Sequence, residues 1–198
     1  MRNRREFWAG FLCGIIMVFL IVFLILASGA LDLSASGKPG AIETTLAPWA
    51  FERSMARRSP KTNNPFANDA STWAVGMAHY REDCMICHGA PGIAGKDVSM
   101  GLSPPAPELD GKEIQSLSDG EVFWIVKNGI RWSGMPAIGQ THEDTDIWKI
   151  ISFVRHLPHL TPEEKDQLKP GAEHHENHPG AHADPRAREP GVKADREH

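Results

Sequence analysis

Two cysteines and a histidine stand together in the stretch DCMICHG, residues 83–89 of a 198-residue chain that has three cysteines. Such a pair of thiols is found in thioredoxin-like redox sites and zinc sites, and with a histidine directly after it in haem-attachment sites. A thioredoxin-like redox pair needs neighbouring strands, and no strand pattern surrounds this stretch. A zinc site needs four ligands, and no second C-x-x-C or H-x-x-x-H lies nearby to complete them. Cys84 and Cys87 are therefore predicted to bind haem covalently, with His88 as the proximal iron ligand.

The second axial position of the iron has four candidate ligands in the sequence, Met77, Met100, Met135 and His142. Met135 is favoured because it lies in the loop NGIRWSGMPAIG, where glycines allow the backbone to approach a flat ring closely. Met100 follows His88 by only twelve residues, a short reach to the opposite side of a haem. We predict His88 and Met135 as the iron ligands, with His142 facing solvent or belonging to the cap region of the last helix.

Three segments carry helix signals, and no segment alternates as a strand would. The first opens near Ser71, and the second has Ser118 and Glu121 in the spacing of a capping box. The third has apolar residues at helical spacing and ends at Pro158. Between the first and second segments, a proline-rich stretch cannot form regular structure. These signals predict an all-α domain of about 90 residues, which is too small for a large core unless an apolar group such as haem fills it.

The N-terminal region is predicted to cross a membrane. Residues 7–30 are uncharged and long enough to span a bilayer core of about 30 Å, although an export signal cleaved after Ala30 is an alternative. Arginines in residues 1–6 are expected to stay in the cytoplasm. This predicts a single-pass protein of the inner membrane whose remaining residues lie in the periplasm.

Beyond the membrane segment, the sequence predicts a flexible linker over residues 31–70, the haem-bearing domain over residues 71–160, and a C-terminal extension over residues 161–198. The extension is expected to begin with a short helix capped by Thr161 and to continue as a disordered tail. The net charge of −4 and the lack of a basic stripe exclude nucleic acid as a partner. Four tail histidines could bind a divalent metal weakly: His174, His175, His178 and His182.

From Thr72 to Leu160 the chain resembles a class I, mitochondrial-type c-type cytochrome domain, as found in bacterial membrane-anchored members with one haem. The matching pieces are CMICHG, the GMP whose Met135 follows His88 by 47 residues, and the two terminal helices. The resemblance implies three to five helices around one covalent haem c. It also implies that the terminal helices cross where four residues meet, Gly76 and Tyr80 of the first and Ile150 and Phe153 of the last.

Further roles follow from the same resemblance. A backbone carbonyl should hold the proximal imidazole, and Pro91, three residues after His88, is the expected source. Arg131 and Trp132 stand shortly before Met135 in the same loop and are expected to donate hydrogen bonds to the haem propionates; a surface arginine and a packed tryptophan without that role are the alternative. A histidine and a methionine together would raise the potential of the iron and close both axial positions.

Taken together, these features predict an electron-transfer protein that is not itself an enzyme. It would be a membrane-anchored periplasmic monohaem cytochrome that carries single electrons between respiratory-chain proteins. One alternative is a fixed haem c subunit of a membrane oxidase or dehydrogenase complex. A second alternative is a haem-based sensor, which would need an open sixth position on the iron.

Overall fold

The computed structural model describes residues 2–67 and 69–169, and within these ranges the chain forms helices and no β-strand. This confirms the all-α prediction. The short turn Tyr80–Cys84 is a π-helix that joins α3 to α4 without a break. The α-helices are α1 (Arg2–Ala27), α2 (Ala41–Arg58), α3 (Trp73–His79), α4 (Met85–His88), α5 (Lys112–Gln115), α6 (Asp119–Asn128), α7 (Asp144–His156) and α8 (Pro162–Leu168).

The tightest contact of the fold is the crossing of α3 and α7 at Gly76. A Cβ at this position would overlap the backbone oxygen of Lys149 and lie 2.9 Å from the Cβ of Phe153. The rings of Tyr80 and Phe153 meet edge to face, with centroids 5.4 Å apart. The predicted crossing of the first and last helices of the domain is therefore confirmed.

The apolar core consists of two clusters that share α7. The first core cluster joins α3 to α7 and α8 and includes Met77, Tyr80 and Phe153. The second core cluster joins α6 to α7 and includes Phe123 and Ile147. Because α7 presents buried residues to both, it is the central element of the packed domain.

The capping boxes predicted from the sequence are present. The Ser118 hydroxyl accepts a hydrogen bond from the Glu121 backbone N–H, and the Glu121 side chain accepts from the Ser118 backbone N–H. Thr161 and Glu164 make the same reciprocal pair at α8. The cap of the first helical segment differs from the prediction, because Asp69 and not Ser71 supplies the accepting side chain.

The expectation of a flexible coil is wrong for much of residues 31–70, since α2 occupies Ala41–Arg58. Met55 is buried, and the ring of Phe51 lies 6.1 Å from that of Trp124 in α6. Farther along, the Asn64 side-chain amide donates to the backbone oxygen of Trp148 over 2.9 Å. These contacts hold the end of the segment against the domain, so only residues 28–40 connect α1 to α2 without a helix.

The first helix fits the predicted membrane span by length and composition. Its 26 residues would extend about 39 Å, and none of its most apolar stretch is buried within the protein. At the other end of the chain, Leu168 of α8 is buried in the first core cluster, so packing extends beyond residue 160. The predicted disordered tail, with its histidines, lies outside the described residues.

We expect Gly76→Ala to destabilise the protein by about 1–3 kcal/mol, because the new methyl group meets backbone of α7 that cannot move alone. Glycine-to-alanine changes in helices otherwise stabilise by about 1 kcal/mol, so the sign of the effect is informative. Thermal unfolding of the purified protein measures it. Gly101→Ala, where a Cβ meets nothing within 4 Å, is the control. Equal melting temperatures for the two variants would contradict the close crossing.

Ser118→Ala is expected to lower the free energy of unfolding by about 1 kcal/mol at neutral pH. Hydrogen bonds from the Ser118 backbone and, to a smaller extent, its hydroxyl lower the pKa of Glu121, so the part of the stabilisation that comes from the hydroxyl's bond to the Glu121 carboxylate is present above the usual glutamate range. It is lost as the pH falls through the lowered pKa. Urea unfolding at a series of pH values checks both statements. Ser116→Ala removes another exposed hydroxyl and is the control.

Candidate functional site

The predicted attachment residues lie on one continuous segment, residues 80–89, which continues directly from α3. Cys84 is the last residue of the π-helical turn, and Cys87 and His88 lie on α4. Both thiols are free and partly buried. The two sulfur-bearing residues and the histidine are therefore presented by less than two turns of helix, in the order that covalent haem attachment needs.

The chain leaves α4 through Gly89, which has a positive φ of 64°. A Cβ there would overlap the backbone oxygen of Ile93, so glycine is required for both conformation and space. The buried Tyr80 hydroxyl donates to the Gly89 backbone oxygen over 2.7 Å. Burial raises the pKa of Tyr80, with the nearby Cys84 thiol and Asp110 adding to it, so this hydroxyl remains a donor. Together these interactions hold the end of the attachment segment in place.

His88 is held by a backbone carbonyl of the proline-rich loop, residues 101–111. Its Nδ1 lies 2.8 Å from the Pro107 oxygen. A carbonyl only accepts, so Nδ1 carries the proton and Nε2 keeps the lone pair that an iron ion binds. Burial lowers the pKa of His88, and the Pro107 bond opposes that effect in part. The imidazole is thus kept neutral and oriented as a ligand.

The prediction that Pro91 supplies this carbonyl is wrong, because Pro107 supplies it. Residues 90–93 instead turn back on themselves, with reciprocal backbone hydrogen bonds between Ala90 and Ile93. Pro91 lies in that turn and lines the cavity beside His88. A role for Pro91 in contact with the cofactor stays a prediction.

The state of the thiols argues against a redox pair. Burial raises the pKa of the Cys84 thiol to about 12, with the Asp83 carboxylate and Cys87 contributing less. Thioredoxin-like sites have the opposite property, since their attacking thiol has a lowered pKa and is partly ionised at neutral pH. Cys84 is therefore a partly buried, protonated thiol, which thioether formation would consume.

A cavity of about 360 Å³ lies beside Cys87 and His88. Its volume is within the range of about 300–1,000 Å³ that cofactor pockets occupy. Tyr80, Leu109, Glu108 and Asp110 are among its lining residues. The thiols and the oriented imidazole fit a covalently attached haem, whose iron supplies one-electron oxidation and reduction when bound. The cavity adjoins Cys87 and His88, whereas Cys84 and Met135 are not among its lining residues.

Met135 lies partly buried against the second core cluster, in a loop over residues 129–136 that we call the Met135 loop. The backbone N–H of Met135 donates to the Ser133 hydroxyl, and its oxygen accepts from the Ile130 N–H. A Cβ on Gly134 would overlap the side chain of Leu102, so the Met135 loop touches the proline-rich loop that also holds His88. Ligation of the iron by Met135 stays a prediction.

The other candidates for the second axial ligand are placed differently. Met77 is buried in the first core cluster between α3 and α7, and Met100 is 81% exposed. Of the two predictions for His142, exposure to solvent is wrong, because its side chain is only 6% exposed, whereas its place in the cap region is confirmed, because it directly precedes Glu143, the N-cap of α7. Its ring lies edge-on to that of His79, with centroids 4.9 Å apart. Of the three methionines, Met135 alone combines partial burial with a position in a constrained loop.

Arg131 and Trp132 are both exposed, and Trp132 is 92% exposed with a positive φ of 60°. A non-glycine residue with this backbone conformation is uncommon. The conformation turns the Met135 loop sharply, so that Ser133 can donate its N–H to the Ile130 oxygen. Hydrogen bonds from Arg131 and Trp132 to haem propionates stay a prediction.

Sequence reasoning did not identify Pro107 or Leu102 as parts of the site. The only signal was the proline-rich loop itself, whose backbone cannot pair in regular structure and so leaves carbonyl oxygens available. Tyr80 was expected at the helix crossing, but its second function, the hydrogen bond to Gly89, was not. These contacts join residues that are 9–32 positions apart, where spacing alone gives no guide.

Comparison with known families gives a match over residues 71–154 to the family described as cytochrome C oxidase, cbb3-type, subunit III. No curated protein matches the chain. The matched residues include Cys84, Cys87 and His88, the Met135 loop and most of α7, whereas α1, α2 and α8 lie outside them. Residues 71–154 are therefore a class I c-type cytochrome domain, which binds haem c covalently and serves in electron transfer.

Proposed function

We propose that this protein is a membrane-anchored monohaem cytochrome that carries single electrons between oxidoreductases on the periplasmic side of the inner membrane. The observation that carries the proposal is the arrangement of His88 next to Cys87, with its Nδ1 held by the Pro107 oxygen. This arrangement leaves one nitrogen lone pair for iron and matches a family that works by electron transfer. Cys84 and Cys87 would hold the haem, and His88 would bind its iron.

Met135 is proposed as the second axial ligand. Its loop is tied to the end of α6, since a Cβ on Gly129 would lie 2.7 Å from the Met135 oxygen. A thioether held in this way would close the iron to exogenous ligands and raise its potential. An electron carrier benefits from both effects, whereas a ligand sensor needs an open position.

Residues 2–27 are proposed to anchor the protein in the lipid bilayer, with the N-terminal arginines on the cytoplasmic side. Support comes from the length and apolarity of α1. Because α2 packs on the domain, the connection from α1 consists of the 13 residues 28–40. As a flexible coil these would span roughly 20 Å, so the domain would stay close to the membrane surface.

A second candidate function is a fixed haem c subunit of a terminal oxidase. The name of the matching family, an oxidase subunit, favours it, and so does the short connection between α1 and the domain. In that arrangement the same haem would pass electrons within one complex. The catalytic chemistry would then belong to another subunit.

We expect Met135→Leu to convert the protein from a closed to an open haem site. The ferrous variant should bind carbon monoxide, the thioether-to-iron band should vanish from the ferric spectrum, and the midpoint potential should fall. Absorption spectra with and without carbon monoxide, together with a redox titration, measure these effects. Met100→Leu replaces an exposed methionine and is the control. If the ferrous Met135→Leu variant still failed to bind carbon monoxide, Met135 would be excluded as the ligand. A wild-type protein without haem absorption would exclude haem attachment.

Purification in mild detergent separates the two candidate functions. The carrier proposal predicts that the full-length protein is recovered from membranes as a single haem-bearing chain, without an oxidase in fixed stoichiometry. A docking contact between mobile partners has a lifetime too short to survive washing. Size-exclusion chromatography with haem staining checks this. Recovery in a constant ratio with oxidase subunits, before and after raising the salt concentration, would favour the fixed-subunit function.

A further inference from the structure

Three side chains that the haem site does not use converge at the end of α3. His79 is the last residue of α3, Asp83 directly precedes Cys84, and His142 lies in the loop that enters α7. The Nε2 atom of His142 lies 3.2 Å from Nδ1 of His79 and 3.2 Å from Oδ2 of Asp83. One ligand atom from each residue lies within 4.8 Å of the other two. The group is partly buried, since the His142 side chain is 6% exposed and the Asp83 side chain is 27% exposed.

The hydrogen bonds around these side chains indicate which of their atoms can bind a metal. When the Thr141 hydroxyl donates to the Ile138 oxygen, 3.2 Å away, its oxygen can accept the Nδ1 proton of His142 over 3.0 Å. His142 then presents the Nε2 lone pair to His79 and Asp83. The Oδ2 atom of Asp83 is buried and makes no hydrogen bond, despite its short distance to Nε2. A buried carboxylate oxygen facing a lone pair is costly unless a cation lies between them.

The spacing of the atoms suits a small divalent ion. Around a tetrahedral Zn²⁺ ion with bonds of about 2.0–2.1 Å, neighbouring ligand atoms are about 3.3 Å apart. The two measured separations from His142 Nε2 are 3.2 Å each. The imidazole planes of His79 and His142 are 79° apart, so the rings meet edge to face and do not stack. Thr141 would orient the His142 imidazole, as the outer partners of metal-bound histidines usually do.

The surroundings of His79 keep its imidazole neutral and include three carboxylates. Burial and the neighbouring His142 lower the pKa of His79, which keeps its imidazole neutral at pH 7. The carboxylates of Asp146, Asp83 and Glu82 all act on His79 in the opposite sense. Neutral imidazoles are the form that binds metal, and nearby carboxylates offset the charge of a divalent ion.

We propose that His79, Asp83 and His142 bind a divalent first-row transition ion, with Zn²⁺ as the fitting example and water as the fourth ligand. Two nitrogens and one carboxylate oxygen form a donor set that such ions accept. The site would connect the residue before Cys84 to the loop between Met135 and α7. A bound ion would thus link the two chain segments that flank the haem. This proposal holds equally for a mobile carrier and for a fixed subunit.

Zinc titration of the full-length haem-loaded protein tests the site. All proteins carry glutamine at the four tail histidines, His174, His175, His178 and His182, which removes the tail as a competing site. Isothermal titration with ZnCl₂ should show one ion per chain. His142→Gln should weaken binding at least 100-fold, and Asp83→Asn should weaken it at least 10-fold while keeping the side-chain shape. His159→Gln, which removes an exposed histidine, should leave the affinity unchanged.

A second measurement separates loss of the site from loss of the fold. Each variant should keep the haem absorption spectrum and the helical circular dichroism of the parent. Zn²⁺ should raise the melting temperature of the parent and of His159→Gln, but not of His142→Gln or Asp83→Asn. X-ray absorption of the zinc-loaded parent should show nitrogen and oxygen ligands at about 2.0–2.1 Å.

Several outcomes would overturn the proposal. One is the absence of zinc binding by the parent protein at micromolar concentrations. Another is an affinity of Asp83→Asn and His142→Gln equal to that of the parent in folded, haem-loaded protein. A third is a sulfur ligand in the X-ray absorption spectrum, which would assign the ion to a thiol instead of to His79, Asp83 and His142.

Discussion

The close crossing of α3 and α7 at Gly76 is the constraint on which the rest of the domain depends. Because this position has no side chain, the backbone of α7 at Lys149 reaches the surface of α3. The attachment segment continues from α3 without a break, and the chain that includes Met135 enters α7. One contact between two helices therefore sets the distance between the two halves of the haem site. A wider crossing would move both halves apart.

The proline-rich loop is a second constraint, and it works without regular structure. Through Pro107 it orients His88, and through Leu102 it touches Gly134 in the Met135 loop. Prolines lower the conformational entropy of the unfolded chain, so a loop rich in them loses less entropy when it becomes ordered. This makes an irregular segment stiff enough to hold an imidazole in one orientation. The loop thus connects the proximal side of the site to the side where Met135 lies.

The sequence predicted the contacts between residues that lie close together along the chain. The capping boxes at Ser118 and Thr161 each join residues three apart, and the attachment motif lies within five residues. The contact of Gly76 with α7 was also predicted, but only because the family resemblance supplied it. Local chemistry and a resemblance were enough for the main helices and the attachment residues.

The predictions that failed depend on contacts between distant residues. Helix α2 contains Pro48 and no sustained apolar period, so its signals were those of a coil. Its C-terminal part packs on α6 through Phe51 and Met55, and such packing can override weak propensity. Pro91, the nearest proline after His88 in the sequence, was predicted to supply the carbonyl that holds the imidazole. The chain instead returns 19 residues after His88, and Pro107 supplies it. The position of His142 beside His79, 63 residues away, had no local signal.

The short connection between α1 and α2 changes what the two candidate functions require. A haem domain attached through about 40 flexible residues could reach partners on the order of 35 Å away. With the 13 residues that connect α1 to α2, its reach is roughly 20 Å. Under the proposed anchoring, the haem domain would be confined near the bilayer, where its effective concentration at an adjacent membrane complex is high. A carrier so confined would serve neighbouring complexes and not distant ones. The physical difference between a carrier and a fixed subunit then reduces to the lifetime of one docking contact.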